Sequence, residues 1–190
     1  MMSLTLLAVM TLASAPPLQL QAAIQQQSLS LPSLERLFDG LNPGAELGLE
    51  VGLWRGGRLR LVQAAGLGFF HHGGFGTSLS LRTATSLRLE PIDALELDMG
   101  LSVGYTAQLP DVPVFRAGAD GFARVRAPWL HRFVAGPGLG VGWRVGAFTP
   151  FVAYHLLVEA PFMEDLSPVI PYQLVQLGVR WRFAAGEEVQ

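Results

Sequence analysis

The sequence predicts an all-β protein, an antiparallel up-and-down transmembrane β-barrel of about eight strands with a short N-terminal helix. Three observations lead to this fold class. Apolar and polar residues alternate over most of residues 45–183, which is the pattern of strands with two different faces. Only 15% of the residues are charged, against about 25% in an average soluble domain. No run approaches the ~18 consecutive apolar residues that a membrane-spanning helix needs, so strands would have to cross the membrane.

Composition also excludes several classes of function. The length of 190 residues allows one domain, and the formal charge of −2 provides no basic surface for a phosphate backbone. We therefore expect no nucleic-acid partner. The absence of cysteine excludes a disulfide framework, thiolate metal sites and a cysteine nucleophile. No cofactor and no metal are predicted.

The first residues predict a signal peptide. Residues 4–13 (LTLLAVMTLA) are apolar over the length of a secretory hydrophobic core, although no Lys or Arg precedes them. Cleavage after Ala15 would leave a proline at the first mature position, so a cut near Ala22 or Ala23 is favoured. We assign residues 1–22 to the signal peptide. A buried N-terminal helix of a cytosolic domain is the alternative.

Residues 23–44 are predicted to form a linker and one short helix. The helix covers residues 32–41, where Ser33 can cap the first turn. Its apolar side chains fall on one face at helical spacing: Leu34, Leu37, Phe38 and Leu41. The barrel is assigned to residues 45–183 and a C-terminal tail to residues 184–190.

The strand pattern is clearest in residues 95–105, where every position obeys the alternation. The same pattern is found in residues 46–53, 78–89, 138–144, 152–159 and 174–183. In residues 78–89 the leucine face also contains Thr83 and Thr85. Residues 59–69 fit less well because Gln63 falls on the apolar face, which predicts a β-bulge at that position.

Strands with one apolar and one polar face can form two kinds of barrel, which differ in the face that points outward. A soluble lipid-carrying barrel turns its apolar face inward, whereas a membrane barrel turns that face toward lipid. The polar face here consists of Gly, Ser and Ala with isolated Arg, Glu and Asp, and the chain has no Lys. Small residues and pairable charges suit a crowded lumen. No further amphipathic helices are present to cover the apolar face, so lipid is the expected cover.

The strand count depends on residues 106–131. If residues 118–127 form a barrel strand, residues 45–183 hold eight strands, but the short and long connections no longer alternate in the way that is typical of membrane barrels. If residues 106–131 form one long loop, the alternation holds and the eighth strand must precede Pro43. Residues 25–31 are a candidate for that strand. Both interpretations stay open at this point.

Aromatic residues near the strand ends predict two interfacial girdles. They are Trp54, Phe69, Phe70, Tyr105, Trp129, Trp143, Tyr172, Trp181 and Phe183. The alternative, ordinary core aromatics, would place them at strand centres.

Residues 45–183 resemble a small bacterial outer-membrane β-barrel. The last strand, residues 177–183 (LGVRWRF), is similar to the aromatic-terminated strand that the outer-membrane assembly machinery recognises, although a tail follows Phe183 here. Residues 52–54, 67–72 and 171–179 also resemble a group of uncharacterised outer-membrane proteins. The resemblance implies a location in the bacterial outer membrane, with membrane lipid and the barrel-assembly machinery as partners. It implies no activity.

Charged residues on the polar face are the most specific candidate feature. They are Glu46, Glu50, Arg60, Arg82, Arg88, Glu90, Glu96, Asp98, Arg144, Glu159, Arg180 and Arg182, with Arg124 and Arg126 if residues 118–127 form a strand. Because an unpaired buried ion is costly, we expect these charges to pair across the lumen. A gated ion path is the functional alternative.

Other polar constellations give weak indications of chemistry. His71 and His72 are neighbours and point to opposite faces of a strand, so they are expected at a loop or rim. His155 and Glu159 share a face but lie roughly 13 Å apart along a strand at 3.3 Å per residue. A hydrolase on the barrel wall would have to recruit Ser78 or Ser80 with a distant histidine.

No catalytic, cofactor-binding or metal-binding residue is assigned, and no enzyme is predicted. The predicted function is a small outer-membrane barrel with a charged, plugged lumen and a structural, binding or narrow-passage role. The alternatives are an outer-membrane lipid-modifying hydrolase and a soluble lipocalin-like carrier. The small-molecule ligand is not identified by the sequence.

Overall fold

The computed structural model describes residues 18–28, 42–73, 76–111, 113–118, 121–125, 128–161 and 169–183. The predicted helix over residues 32–41 and the tail 184–190 lie outside these residues. Within them, no helix is long and apolar enough to cross a membrane. The strands are β1 (Leu18–Ser28), β2 (Pro43–Gly56), β3 (Leu59–His72), β4 (Gly76–Ile92), β5 (Leu95–Leu109), β6 (Val114–Gly118), β7 (Gly121–Val125), β8 (Leu130–Trp143), β9 (Phe148–Ala160) and β10 (Ile170–Arg182).

Eight of these strands close an antiparallel barrel. Each of β1–β5 and β8–β10 pairs with its neighbours in chain order, and β10 pairs back onto β1. The predicted eight-stranded up-and-down barrel is therefore confirmed. Strands β6 and β7 pair only with each other, as a hairpin in the connection between β5 and β8.

The eighth barrel strand is β1, so the long-loop interpretation of residues 106–131 is the correct one. Within that segment, residues 121–125 form β7, which pairs with β6 and not with a strand of the barrel wall. The barrel begins at Leu18 rather than at residue 45. Its alternation is readable, since Gln19 and Gln25 are buried on the inner face while Leu18 and Ile24 are exposed on the outer face. Residues 18–22, however, fall within the range assigned to the signal peptide.

The position of β1 predicts where a leader can be removed. Residues 18–22 pair with β2 on one side and with β10 on the other. A cut at Ala22 would remove residues 18–22 and leave the backbone groups of β2 and β10 that pair with them without hydrogen bonds. Inside the membrane each unpaired backbone group costs several kcal/mol. N-terminal sequencing of the protein from membranes should therefore find a start at or before Leu18. A mature chain that starts at Ala23 would contradict this prediction.

The two ends of the barrel differ in their connections. At one end, here called the turn end, the strands are joined by residues 57–58, 93–94 and 144–147. At the other, the loop end, they are joined by residues 29–42, 73–75, 110–129 and 161–169. Membrane barrels have this asymmetry, with short periplasmic turns and longer external loops.

The outer face of the barrel is apolar, as predicted. Leu47, Leu67, Leu101 and Leu139 are each 59–67% exposed. Exposed aromatics lie near both ends: Trp54, Trp143, Phe148, Trp181 and Phe183 at the turn end, and Phe69, Tyr105, Trp129 and Phe133 at the loop end. A sheet face of this size exposed to water would be an aggregation site, so hydrocarbon is its natural surroundings.

Two of the predicted girdle residues are placed wrongly by the sequence interpretation. Phe70 and Tyr172 are only 7% and 6% exposed and lie inside the barrel. Phe69 faces outward, so its neighbour Phe70 must face inward, because consecutive strand residues alternate. Nearness to a strand end does not distinguish the two faces.

The predicted bulge at Gln63 is also displaced. The register shifts on the facing strand, between Gly52 and Trp54 of β2, and β3 continues without interruption. Gln63 therefore stays on the outer face, opposite Thr85 of β4.

Candidate functional site: the barrel lumen

Small residues on the inner face leave room for long charged side chains. A Cβ atom at Gly66 would lie 3.1 Å from the Glu46 carboxylate carbon. A Cβ atom at Gly138 would lie 2.3 Å from Nδ1 of His155, which is closer than real Cβ contacts. The glycines of the polar face thus give lumen side chains the volume they occupy.

The largest cluster lies near the turn end, and we call it the turn-end network. It contains four arginines and four carboxylates: Arg60, Arg88, Arg144, Arg180, Glu50, Glu90, Glu96 and Asp98. Equal numbers of opposite charges make this set neutral. Little water reaches it, so ion pairs and hydrogen bonds must replace hydration.

Glu96 is at the centre of the turn-end network and is 0% exposed. Its Oε1 accepts a hydrogen bond from Nη2 of Arg144 at 2.6 Å. Its Oε2 accepts one from Nη1 of Arg180 at 2.8 Å and lies 3.5 Å from Nε of Arg88. One carboxylate therefore joins β5 to β4, to β10 and to the residue that follows β8.

Arg88 contacts three carboxylates, those of Glu50, Glu96 and Asp98. Its two terminal nitrogens donate to both carboxylate oxygens of Glu50, at 2.6 and 2.8 Å. Its Nε donates to Oδ1 of Asp98 at 2.6 Å, and Arg180 donates to the other oxygen of Asp98 at 2.5 Å. The planar guanidinium suits such forked pairing, which a lysine could not provide.

Arg60 and Arg144 complete the network at the turn end. Each donates to Oε1 of Glu90, and both bonds are 2.9 Å long. Arg144 lies beyond the last residue of β8. Burial alone would lower the pKa of this guanidinium, but the hydrogen bonds to Glu96 and Glu90 outweigh burial and raise its pKa.

A second group occupies the middle of the lumen. Arg82 donates to Glu46 at 2.5 Å, and Gln176 donates to the other oxygen of Glu46 at 3.3 Å. Nε2 of His155 lies 2.8 Å from Oε1 of Gln176. Between this group and the turn-end network is a cavity of about 80 Å³, which has room for several water molecules.

Apolar side chains fill the lumen near the loop end. This apolar cluster comprises Phe70, Val134, Leu157, Tyr172 and Leu174, each at most 7% exposed. Beside it, Arg132 donates to Glu159 at 2.7 Å. The lumen is thus charged near the turn end and apolar at this cluster, with the Arg132–Glu159 ion pair on the loop-end side of it.

The twelve predicted polar-face charges form pairs inside the barrel. Arg182 has the weakest contact, 3.9 Å from Glu96, and its side chain is one-third exposed. Arg124 belongs to β7 and not to the barrel wall, and Arg126 lies outside the described residues. The sequence analysis did not include Arg132 among the lumen charges, because Arg132 directly follows the possible loop of residues 106–131. The alternation of β8, extended backward from Gly138, does place Arg132 on the inner face.

The other predicted constellations do not assemble into a reactive site. His71 contacts Thr77 on the outer face at 3.2 Å, while His72 contacts Gly73. Ser78 and Ser80 make no hydrogen bond to a histidine in the described part of the chain. Among those same residues, no group of three or more His, Asp and Glu side chains could hold a metal ion.

Comparison with known proteins identifies the fold. No family model matches the chain, and no curated protein sequence matches it. The crystal structure of Neisserial surface protein A is similar, with a TM-score of 0.55, 15% identity, and coverage of 90% of this chain and 98% of that one. The crystal structure of the attachment invasion locus protein Ail of Yersinia pestis is also similar, with a TM-score of 0.51 and 11% identity. The match covers 90% of this chain and 100% of that one. The fold is that of the small eight-stranded outer-membrane β-barrels.

Proposed function

We propose that this chain is a structural barrel of the bacterial outer membrane, with a closed lumen and a loop end that serves for binding. The supporting observation is the arrangement of polarity, since apolar side chains cover the outside while the inside carries charges that pair with one another. This arrangement suits a wall surrounded by lipid and a lumen that stabilises the wall. We propose no catalytic role.

The proposed location has a direct test. Membrane fractionation should recover the protein with the outer membrane, and boiling should shift its mobility on a gel because a closed barrel resists detergent until it is heated. Recovery of a soluble monomer from the cytosol without detergent would contradict the proposal.

The closed lumen is the second part of the proposal. The loop-end apolar cluster places five buried side chains in the lumen, and the turn-end network fills the other end with paired ions. Narrow passage is the alternative function. The cavity of about 80 Å³, which charged residues such as Arg82 and Arg88 line in part, favours it.

Conductance in planar bilayers separates these two functions. We expect the native barrel to carry no steady current. The double variant Leu157→Ala, Leu174→Ala should admit brief ion currents, because it removes buried apolar volume from the lumen, whereas Leu177→Ala on the outer face should not. Large, steady currents through the native barrel would contradict the closed lumen and support the passage function.

The two remaining alternatives fit the geometry poorly. A lipocalin-like carrier needs an apolar interior, but the middle of this lumen is lined by charged residues such as Glu46, Arg82 and Asp98. A lipid-modifying hydrolase needs a serine or similar nucleophile beside a base. The inward-facing His155 contacts Gln176 instead.

The loop end and the last strand support the proposed partners. Phe115 and Phe122, on the β6–β7 hairpin, are 56% and 80% exposed, and their register places them on one face. Exposed aromatic side chains of this kind are enriched in binding surfaces. We further propose that the assembly machinery recognises β10, which ends one residue before the exposed Phe183.

A further inference from the structure

We propose that the outer wall at Gln63 is a contact surface between two copies of this chain in the membrane. Four residues define this surface, and we call it the β3–β4 patch: Gln63, Ala65, Thr83 and Thr85. Gln63 is paired with Thr85, and Ala65 with Thr83, so all four side chains point outward. On strands β2 to β5, the outward positions surrounding the patch are apolar.

The patch lies within the hydrocarbon region and not at its edge. Gln63 is four residues from the start of β3 at Leu59 and six residues from the exposed Phe69 near the loop end. At 3.3 Å per residue this is roughly 13 Å along the strand from one end and 20 Å from the aromatic ring. Gln63 thus lies between two exposed aromatic residues, Phe69 on the loop-end side and Trp54 on the turn-end side, where Trp54 pairs with Leu61 two residues before Gln63.

Hydrogen bonds inside the patch are nearly complete. Nε2 of Gln63 donates to Oγ1 of Thr83 at 2.6 Å, and that hydroxyl donates to the carbonyl of Ala64 at 2.8 Å. Thr85 donates to Oε1 of Gln63 at 2.6 Å. A glutamine amide has two hydrogens, and the described residues offer the second one no acceptor.

A second copy can supply the missing acceptor. Thr85 is exposed and its hydroxyl oxygen retains acceptor capacity while its hydrogen is used toward Gln63. A two-fold axis through the patch lets each Gln63 donate to Thr85 of the other copy, so that one pair of residues makes the contact twice. Lipid chains contain no acceptor, which leaves this hydrogen unsatisfied in a monomer.

The shape of the surrounding wall allows the close approach that this contact needs. The short side chains of Ala65, Thr83 and Thr85 lie below a rim of larger ones. The rim consists of Leu67, Leu81, Leu101 and Val103, each 55–67% exposed. Small residues flanked by bulky ones, with polar groups that hydrogen-bond across the interface, are typical of association in membranes.

Thiol cross-linking tests the proposal in the complete protein, because the native chain contains no cysteine. Ala65→Cys places one thiol in the patch without removing a hydrogen-bonding side chain. In lipid vesicles a short bifunctional thiol reagent should then yield covalent dimers. Val152→Cys is the matched control, because Val152 is an exposed outer residue of β9, on the opposite side of the barrel. It should yield several-fold fewer dimers.

Gln63→Leu added to Ala65→Cys removes the hydrogen bond and keeps the side-chain volume. The dimer association constant should fall about 9-fold to 400-fold, because the two-fold contact loses two hydrogen bonds and each is worth about 3-fold to 20-fold in a membrane. An unchanged heat-dependent gel shift would show that the barrel still folds. Equal cross-linking at Ala65→Cys and Val152→Cys, no effect of Gln63→Leu, or adducts with a protein of different mass would each overturn the proposal.

Discussion

Replacement of Glu96 by alanine should lower the free energy of unfolding by about 3–5 kcal/mol, the loss typical of a broken buried ion pair. Glu96 is fully buried and contacts both Arg144 and Arg180. Its removal leaves the turn-end network with four arginines and three carboxylates. Arg144 then keeps only Glu90 as a carboxylate partner, and the buried network carries one uncompensated positive charge. Urea unfolding in lipid vesicles, followed by tryptophan fluorescence, measures the change.

Two control variants isolate the effect of charge at this site. Glu96→Gln keeps the volume and part of the hydrogen bonding, so its loss should come mainly from the missing charge. Arg55→Ala removes an ion pair with Glu90 in which the Arg55 side chain is 65% exposed. That change should cost at most about 1 kcal/mol, because exposed pairs are well hydrated. Equal losses for Glu96→Ala and Arg55→Ala would show that the lumen is wet and that pairing does not stabilise the barrel.

Arginine in place of Leu101 should cost roughly 2–4 kcal/mol, the penalty measured for a charge on the lipid side of a barrel near the midplane. Leu101 is 67% exposed on the outer face of β5. In a water-soluble protein the same substitution at so exposed a position would be nearly neutral. The loss of stability measured by the same vesicle unfolding assay therefore also shows whether Leu101 faces lipid or water.

The adjacent residue gives the matched control for Leu101→Arg. Ser102 points inward, is 3% exposed and donates a 3.3 Å hydrogen bond to the carbonyl of Gly136. Ser102→Ala removes this long bond and should have a mild effect. A harmless Leu101→Arg together with a severe Ser102→Ala would mean that the lipid-facing and lumen-facing sides are reversed.

The barrel wall was predictable because period-two alternation depends only on neighbouring residues. Along residues 95–105 the outward leucines and inward charges are already distinct in the sequence, and Glu96 and Asp98 lie in the lumen as expected. The alternation does not show which charged residues pair with each other across the lumen. That Glu96 meets Arg180, 84 residues away, depends on barrel closure and on strand register.

The missed features have a common physical origin. Strand β1 contains only uncharged residues, namely glutamine, leucine, alanine, isoleucine and one serine, and its first residues also fit the end of a leader. Phe70 and Tyr172 are aromatic residues near strand ends, and only their phase relative to Phe69 and Val175 shows that they face inward. In each case the residue types fit two environments, and the register of the neighbouring strands determines which one is real.

The pairing of the first barrel strand with the last constrains the order in which this protein can fold. Gln19 lies opposite Arg182, so the barrel cannot close until almost the whole chain has been synthesised and exported. Until then β1 has only β2 beside it, and its other edge is open to wrong partners. Such distant contacts form slowly because the intervening chain must first be ordered. A chaperone that protects the chain before closure would therefore increase the yield of folded barrel, and a chain truncated before β10 should never reach it.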